Sequence, residues 1–305
     1  MTVERLLAAP GTVVIDGGLS TQLEAMGHDL HDSLWTARTL LDVPDAITAA
    51  HRAFVQAGAR IVITASYQVS RAGFTSAGLD SSTADQALRA SIVAARQAIA
   101  GTDVLVAASV GPYGAISHDG AEYRGNYGLS LPELARFHAE RIEILIDSHP
   151  DLLAVETIPD AAEARALAQV LPTELQSWVC FTARDDTSLR AGQPIEEAVA
   201  SVADHPGVVA VGINCTEPMH VPGLLRRMAA VTDLPLVTYP NAGGSWDAAS
   251  GNWIGARQPI AEAARLWVAA GAKVVGGCCG TDALEITALA RAFPARGPAM
   301  TRHPG

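Results

Sequence analysis

The chain has 305 residues, 49% of them hydrophobic, and carries 32 acidic against 21 basic residues for a net charge of −11. Such a chain can bury one large core; an acidic balance without any Lys/Arg-rich stretch excludes a phosphate-tracking surface, so no nucleic-acid partner is expected. Its apolar runs are far shorter than the ~20 residues that cross a bilayer, and MTVERLLAAPGTVVID has no basic region ahead of a long apolar run, so a cytoplasmic protein without membrane contact is expected.

In chain order, short β-branched runs fall at TVVID (12–16), RIVIT (60–64), VLVAAS (104–109), LLAVE (152–156), SWVCFT (177–182), VVAVGIN (208–214), PLVTY (235–239) and KVVGG (273–277). Each is almost continuously apolar, as expected of strands covered on both faces, and that implies a parallel sheet. Between them lie Ala-rich stretches with helical spacing at 44–57, 83–100, 131–147, 160–170, 194–203, 221–231, 258–270 and 282–292. Ser130 ahead of Leu131-Pro132, and Gln193 ahead of Pro194, read as helix starts. Eight alternating units fit a single (β/α)8 barrel over residues 1–293, followed by a flexible tail at 294–305. A dinucleotide fold is disfavoured, because DGGLS after the first strand lacks the GxGxxG spacing.

In such a barrel chemistry sits at the C-terminal ends of the strands. Those ends carry Asp16-Gly17-Gly18, Thr64-Ala65-Ser66, Glu156-Thr157, Asn214-Cys215, Tyr239-Pro240-Asn241 and Gly276-Gly277-Cys278-Cys279-Gly280. Four cysteines in a chain of this length do not form a disulfide framework and read as reduced thiols. Cys180, inside its strand, reads as a buried hydrophobe. Cys215 and the Cys278-Cys279 pair end strands six and eight, which places them near one another at the barrel mouth. Adjacent residues of a strand face opposite ways, so both cysteines of the pair reach one ion only if the chain turns, and the flanking glycines permit that. Three thiolates at ~2.3 Å would hold zinc and leave its fourth tetrahedral position open. Zinc in so much sulfur favours ionising one more thiol over generating hydroxide, which points to alkyl transfer onto sulfur.

At these residues the sequence resembles the homocysteine S-methyltransferase family of barrel enzymes. The likeness spans almost the whole chain and rests on DGGLSTQLE, ITASYQ, ETIP, GINC, YPNAG and GGCCG in that order. The resemblance implies a Zn2+ site on Cys215, Cys278 and Cys279 that binds the thiol of homocysteine, with methionine as product. It also implies that Asp16 and Glu156 lie near the ammonium group, that Gly17 and the Thr64-Ala65-Ser66 turn receive the carboxylate, and that Asn241 occupies the open zinc position before substrate arrives. For Asp16 the alternative is a helix cap near Ser20.

For the methyl donor, a small sulfonium such as S-methylmethionine or S-adenosylmethionine is expected. Betaine is disfavoured, since Thr157 stands where betaine-using members carry tyrosine. Gly244 stands where S-methylmethionine-using relatives tend to carry glutamate, and Trp246 and Trp253 of the same loop read either as partners of a sulfonium by cation–π attraction or as loop tryptophans that simply pack. The alternatives are a betaine- or selenol-using enzyme of the same barrel, or a zinc hydrolase or lyase, which needs a catalytic His or carboxylate beside the metal. YRGNYG (123–128) reads as a mobile lid over the substrate.

Overall fold

The computed structural model describes residues 1–30, 36–117, 119–243, 245–247, 252–254 and 257–294. Eight of its strands are parallel and form one sheet: β1 (Val13–Val14), β2 (Ile61–Ile63), β3 (Leu105–Val110), β4 (Leu152–Ile158), β5 (Ser177–Phe181), β6 (Val208–Asn214), β7 (Leu236–Tyr239) and β10 (Ala272–Val275). Their order is β1-β10-β7-β6-β5-β4-β3-β2, so each strand neighbours the next in sequence and the first and last lie side by side. Backbone bonds from Arg60 N to Val14 O (2.8 Å) and from Asp16 N to Ile61 O (3.2 Å) join β1 to β2 and close the ring. The expected (β/α)8 barrel is therefore present.

Strand parity separates two cores. Along β4, Leu152 and Ala154 point into the barrel with Trp178 and Cys180 of β5, whereas Leu153 and Val155 pack outward against the helices. Continuing the alternation turns Glu156 inward, and Ser109 of β3 likewise follows the inward Leu105 and Ala107. The interior is filled by side chains, and Val3 and Leu6 of a short N-terminal helix, α1 (Val3–Ala8), join that inner cluster.

The long helices fall where the apolar period places them. Residues Pro44–Ala57 form α4, Ser81–Ala98 form α6, Leu131–Asp147 form α7 and Ala283–Ala292 form α12. The start at Ser130 is a capping box with Glu133, whereas α9 (Ile195–Ala200) is preceded by Pro194 at the cap position instead of Gln193. Between β7 and the last barrel strand, β8 (Ser245–Asp247) and β9 (Asn252–Ile254) pair antiparallel, with Trp246 opposite Trp253 in register. The side chains of both tryptophans, Gly244 and the tail at 295–305 lie outside the described residues. Among the described residues no helix is long and apolar enough to cross a membrane.

Candidate active site

The loops at the C-terminal ends of the strands surround one pocket. Gly17, Thr64, Ala65, Glu156, Cys215, Cys278 and Cys279 are on its wall, together with Tyr67, Glu122, Tyr123, Thr157, Asn214 and Tyr239. Asp16, Ser66 and Asn241 are not on the wall but packed behind it.

The sulfur atoms of Cys215, Cys278 and Cys279 lie within 4.8 Å of one another, and those of Cys278 and Cys279 are 3.9 Å apart. Tetrahedral bonds of ~2.3 Å would set sulfurs about 3.8 Å apart, so the trio fits a zinc ion after a small contraction. Among the described residues no fourth His, Cys, Asp or Glu joins this group. The turn that brings both adjacent cysteines to one point is built from Cys278 N donating to Pro240 O (2.8 Å), Thr281 N to Cys278 O (3.1 Å) and Ala242 N to Cys279 O (2.9 Å). Gly280 takes a left-handed φ of 81° there. The first-strand loop packs directly onto this turn: a Cβ on Gly18 would stand 2.4 Å from the Cys278 carbonyl oxygen. That contact explains why DGG and GGCCG belong together. The neighbouring thiols hold Cys279 well below the usual range and push Cys278 well above it, where burial adds to the rise.

Cys215 is held by a device the sequence does not advertise. It and Thr157 both adopt left-handed backbone, with φ of 45° and 62°, although neither is glycine. Asn214 links them. Its Oδ1 accepts from Thr157 N (2.7 Å), its Nδ2 donates to Thr157 Oγ1 (2.8 Å), and the same Nδ2 lies 3.5 Å from Cys215 Sγ. Two unfavourable backbone turns and a sulfur are thus fixed by one buried amide.

Glu156 is almost fully buried and accepts a short hydrogen bond from Ser109 Oγ. Burial lifts its carboxyl to about 7, partly offset by that bond. Asp16 Oδ2 accepts from Ile63 N (2.6 Å), which makes Asp16 a clasp across the β1–β2 seam. Helix α2 (Leu19–Ala25) begins instead at Gly18 without a side-chain cap, so the helix-cap alternative for Asp16 does not hold. Burial raises Asp16 well above its usual range, and the charge on Glu156 adds to the rise. Ser66 ties β2 to β3, donating to Ser109 O (2.8 Å) and sharing a bond with Thr64 Oγ1 (2.8 Å). Asn241 N donates to Thr216 O (3.2 Å), and its buried Oδ1 has no hydrogen-bond partner.

The YRGNYG segment reaches the pocket through Tyr123. Asn126 N donates to Asp160 Oδ2 (2.9 Å), Gly125 N to Ala121 O (3.1 Å), and the Arg190 guanidinium lies over the Tyr123 ring at 5.3 Å. These ties connect the segment to Asp160, the cap of α8 (Ala161–Leu167), and to Arg190.

Residues 13–293 match the family model described as homocysteine S-methyltransferase. The chain is 42% identical to a homocysteine S-methyltransferase of Escherichia coli strain K12, covering 93% of this chain and 96% of the relative. It is 36% identical to a selenocysteine Se-methyltransferase of Brassica oleracea var. italica, covering 96% and 92%. The crystal structure of the homocysteine methyltransferase MmuM from Escherichia coli in its metallated form superposes with a TM-score of 0.84 at 40% identity, covering 94% of this chain and 98% of that one.

Proposed function

This chain belongs to the homocysteine S-methyltransferase family, and from that premise we propose that it is a zinc enzyme moving a methyl group from a small sulfonium, S-methylmethionine or S-adenosylmethionine, to the sulfur of homocysteine. The observation that carries the reading is the meeting of three cysteine sulfurs on the wall of a pocket that also presents Glu156. When bound by Cys215, Cys278 and Cys279, Zn2+ supplies a thiolate at neutral pH by lowering the pKa of a thiol that joins it.

The chain's own residues position the amino acid. Glu156, oriented by the Ser109 hydroxyl, receives the ammonium group, and Asp16 behind the wall holds β1 against β2 at that point. Gly17 and the Thr64-Ala65 edge line the pocket where the carboxylate would lie, with Ser66 bracing that edge from behind. An amino acid held at both ends presents its side-chain sulfur to the cysteine trio. Asn214 keeps Cys215 in the orientation this requires.

The sulfur of homocysteine gives up its thiol proton to solvent and donates an electron pair to the donor's methyl carbon. The methyl–sulfonium bond breaks, and its electron pair stays on the donor sulfur, which leaves as a neutral thioether. Opposite charges cancel along this path, so a pocket walled off from water favours it, and no general base is required. The selenocysteine relative supports a selenol as a second acceptor for the same three sulfurs. The test is to incubate the zinc-loaded protein with homocysteine or selenocysteine and, in turn, S-methylmethionine, S-adenosylmethionine and betaine, and to quantify the methylated product. Turnover with a sulfonium is expected. Turnover with betaine alone, or with none of the three, overturns the reading.

A further inference from the structure

Glu122 was not anticipated by any motif, and no step of the homocysteine-binding scheme uses it. It sits in a short turn, Ala121–Tyr123, between β3 and α7. Gly120 enters the turn at a left-handed φ of 76°, and Asp119 Oδ1 accepts from Ala121 N (3.0 Å). Gly114 closes it from behind, where a Cβ would lie 2.5 Å from Glu122 N. The turn is therefore rigidly seated, and it aims Glu122 and Tyr123 into the pocket that holds the cysteine trio.

The Oε2 atom of Glu122 is buried and has no hydrogen-bond partner. An unpaired buried carboxylate oxygen is costly unless something meets it. Burial lifts this carboxyl to about 7, so an arriving cation would stabilise its ionised form. No Lys, Arg or His lines the pocket among the described residues to play that part. The cations nearby are engaged elsewhere: Arg124 with Asp119 (2.7 Å), and Arg190 over the Tyr123 ring (5.3 Å). Glu122 lines the same pocket as Tyr67 and the cysteine trio. Tyr67 and Tyr123 flank it with aromatic surface, which attracts cations as well.

We propose that Glu122, flanked by Tyr67 and Tyr123, receives the positive charge of the methyl donor, so that the β3–α7 loop is the donor-recognition element while Glu156 serves the acceptor. This rests on the methyl-transfer reading above. It assigns the two carboxylates of the pocket to two different substrates.

Steady-state kinetics of the zinc-loaded protein test it, with S-methylmethionine varied at saturating homocysteine and then the reverse. Glu122→Gln, which removes charge at nearly constant shape, is expected to raise the donor KM about tenfold, the scale of one charge-assisted contact, and to leave the homocysteine KM within about twofold of wild type. Glu122→Asp should recover part of the loss. On the unaltered protein, tetramethylammonium chloride should compete with the donor and not with homocysteine, a result independent of whether any variant folds. An unchanged donor KM in Glu122→Gln, an equal rise in both KM values, or tetramethylammonium competing with homocysteine overturns the assignment. Absence of turnover by the wild-type protein with every sulfonium refutes the methyl-transfer reading instead.

Discussion

Replacing Asn214 with alanine tests whether the amide clamp serves the metal site or only the fold. The substitution removes bonds of 2.7 and 2.8 Å to Thr157 and leaves the fully buried Thr157 N–H without its acceptor. An orphaned buried donor costs about 1–3 kcal/mol. The left-handed conformations at Thr157 and Cys215 store roughly 1–3 kcal/mol each, tolerated only while their surroundings enforce them. A net loss of about 3 kcal/mol is expected, because relaxation of the two turns returns part of the strain. For a large domain this lowers Tm by roughly 6–10 °C. Relaxation also rotates Cys215 Sγ away from its partners, so zinc affinity should fall about 10- to 100-fold, as when other ligand-orienting partners are lost. Thermal melts of the zinc-free protein give the first quantity, and titration of bound zinc against a colorimetric chelator gives the second. A lowered Tm with wild-type zinc affinity would refute the reasoning, since the clamp would then support only the backbone.

The other outcomes are simpler. Cys215→Ser should lose bound zinc and turnover while its circular dichroism is preserved; full zinc retention by mass spectrometry removes Cys215 from the ligand set. Glu156→Gln should raise the KM for homocysteine about tenfold with zinc content unchanged, and an unaltered KM excludes it from the ammonium site. The same variant has a stability signature. Because burial raises the folded carboxyl from 4.5 to about 7, its stabilising share is complete below pH 4.5 and is lost as pH rises through 7. The zinc-free Glu156→Gln protein should therefore be more stable than wild type at pH 8, by up to about 3 kcal/mol, with the difference vanishing towards pH 4.5. A constant difference across that range contradicts the burial argument. Gly18→Ala forces a Cβ to within 2.4 Å of the Cys278 carbonyl, so the 278–281 turn must shift; weakened zinc binding is expected, and unchanged binding would show that the turn yields without moving its sulfurs.

The barrel was legible because burial on both faces writes continuous apolar runs, and the long helices because their inner faces repeat at the helical period. Shorter pieces left weaker marks. The N-terminal α1 and the β8–β9 hairpin are too brief for periodicity, and α1 is held by burying Val3 and Leu6 against the strands. The cysteine trio was found through its position at strand ends. Parity alone would have turned Glu156 inward with Ala154. The Asn214–Thr157 clamp was not legible, since left-handed backbone at threonine and cysteine has no compositional signature. Glu122 escaped notice because its turn is irregular and its importance comes from what surrounds it. Asp16 and Ser66 were expected at the pocket, yet each spends its side chain joining neighbouring strands.

The side-by-side placement of β1 and the last barrel strand bears on how such a chain comes together during synthesis. Cys215 emerges from the ribosome well before Cys278 and Cys279, and the loop that packs under the later pair, Gly17-Gly18, emerges first of all. The sulfurs become neighbours only once the final strand has docked beside β7, which itself lies beside the strand that leads into Cys215. A half-made chain thus lacks the cysteine trio, and the candidate metal site is among the last parts of the barrel to form.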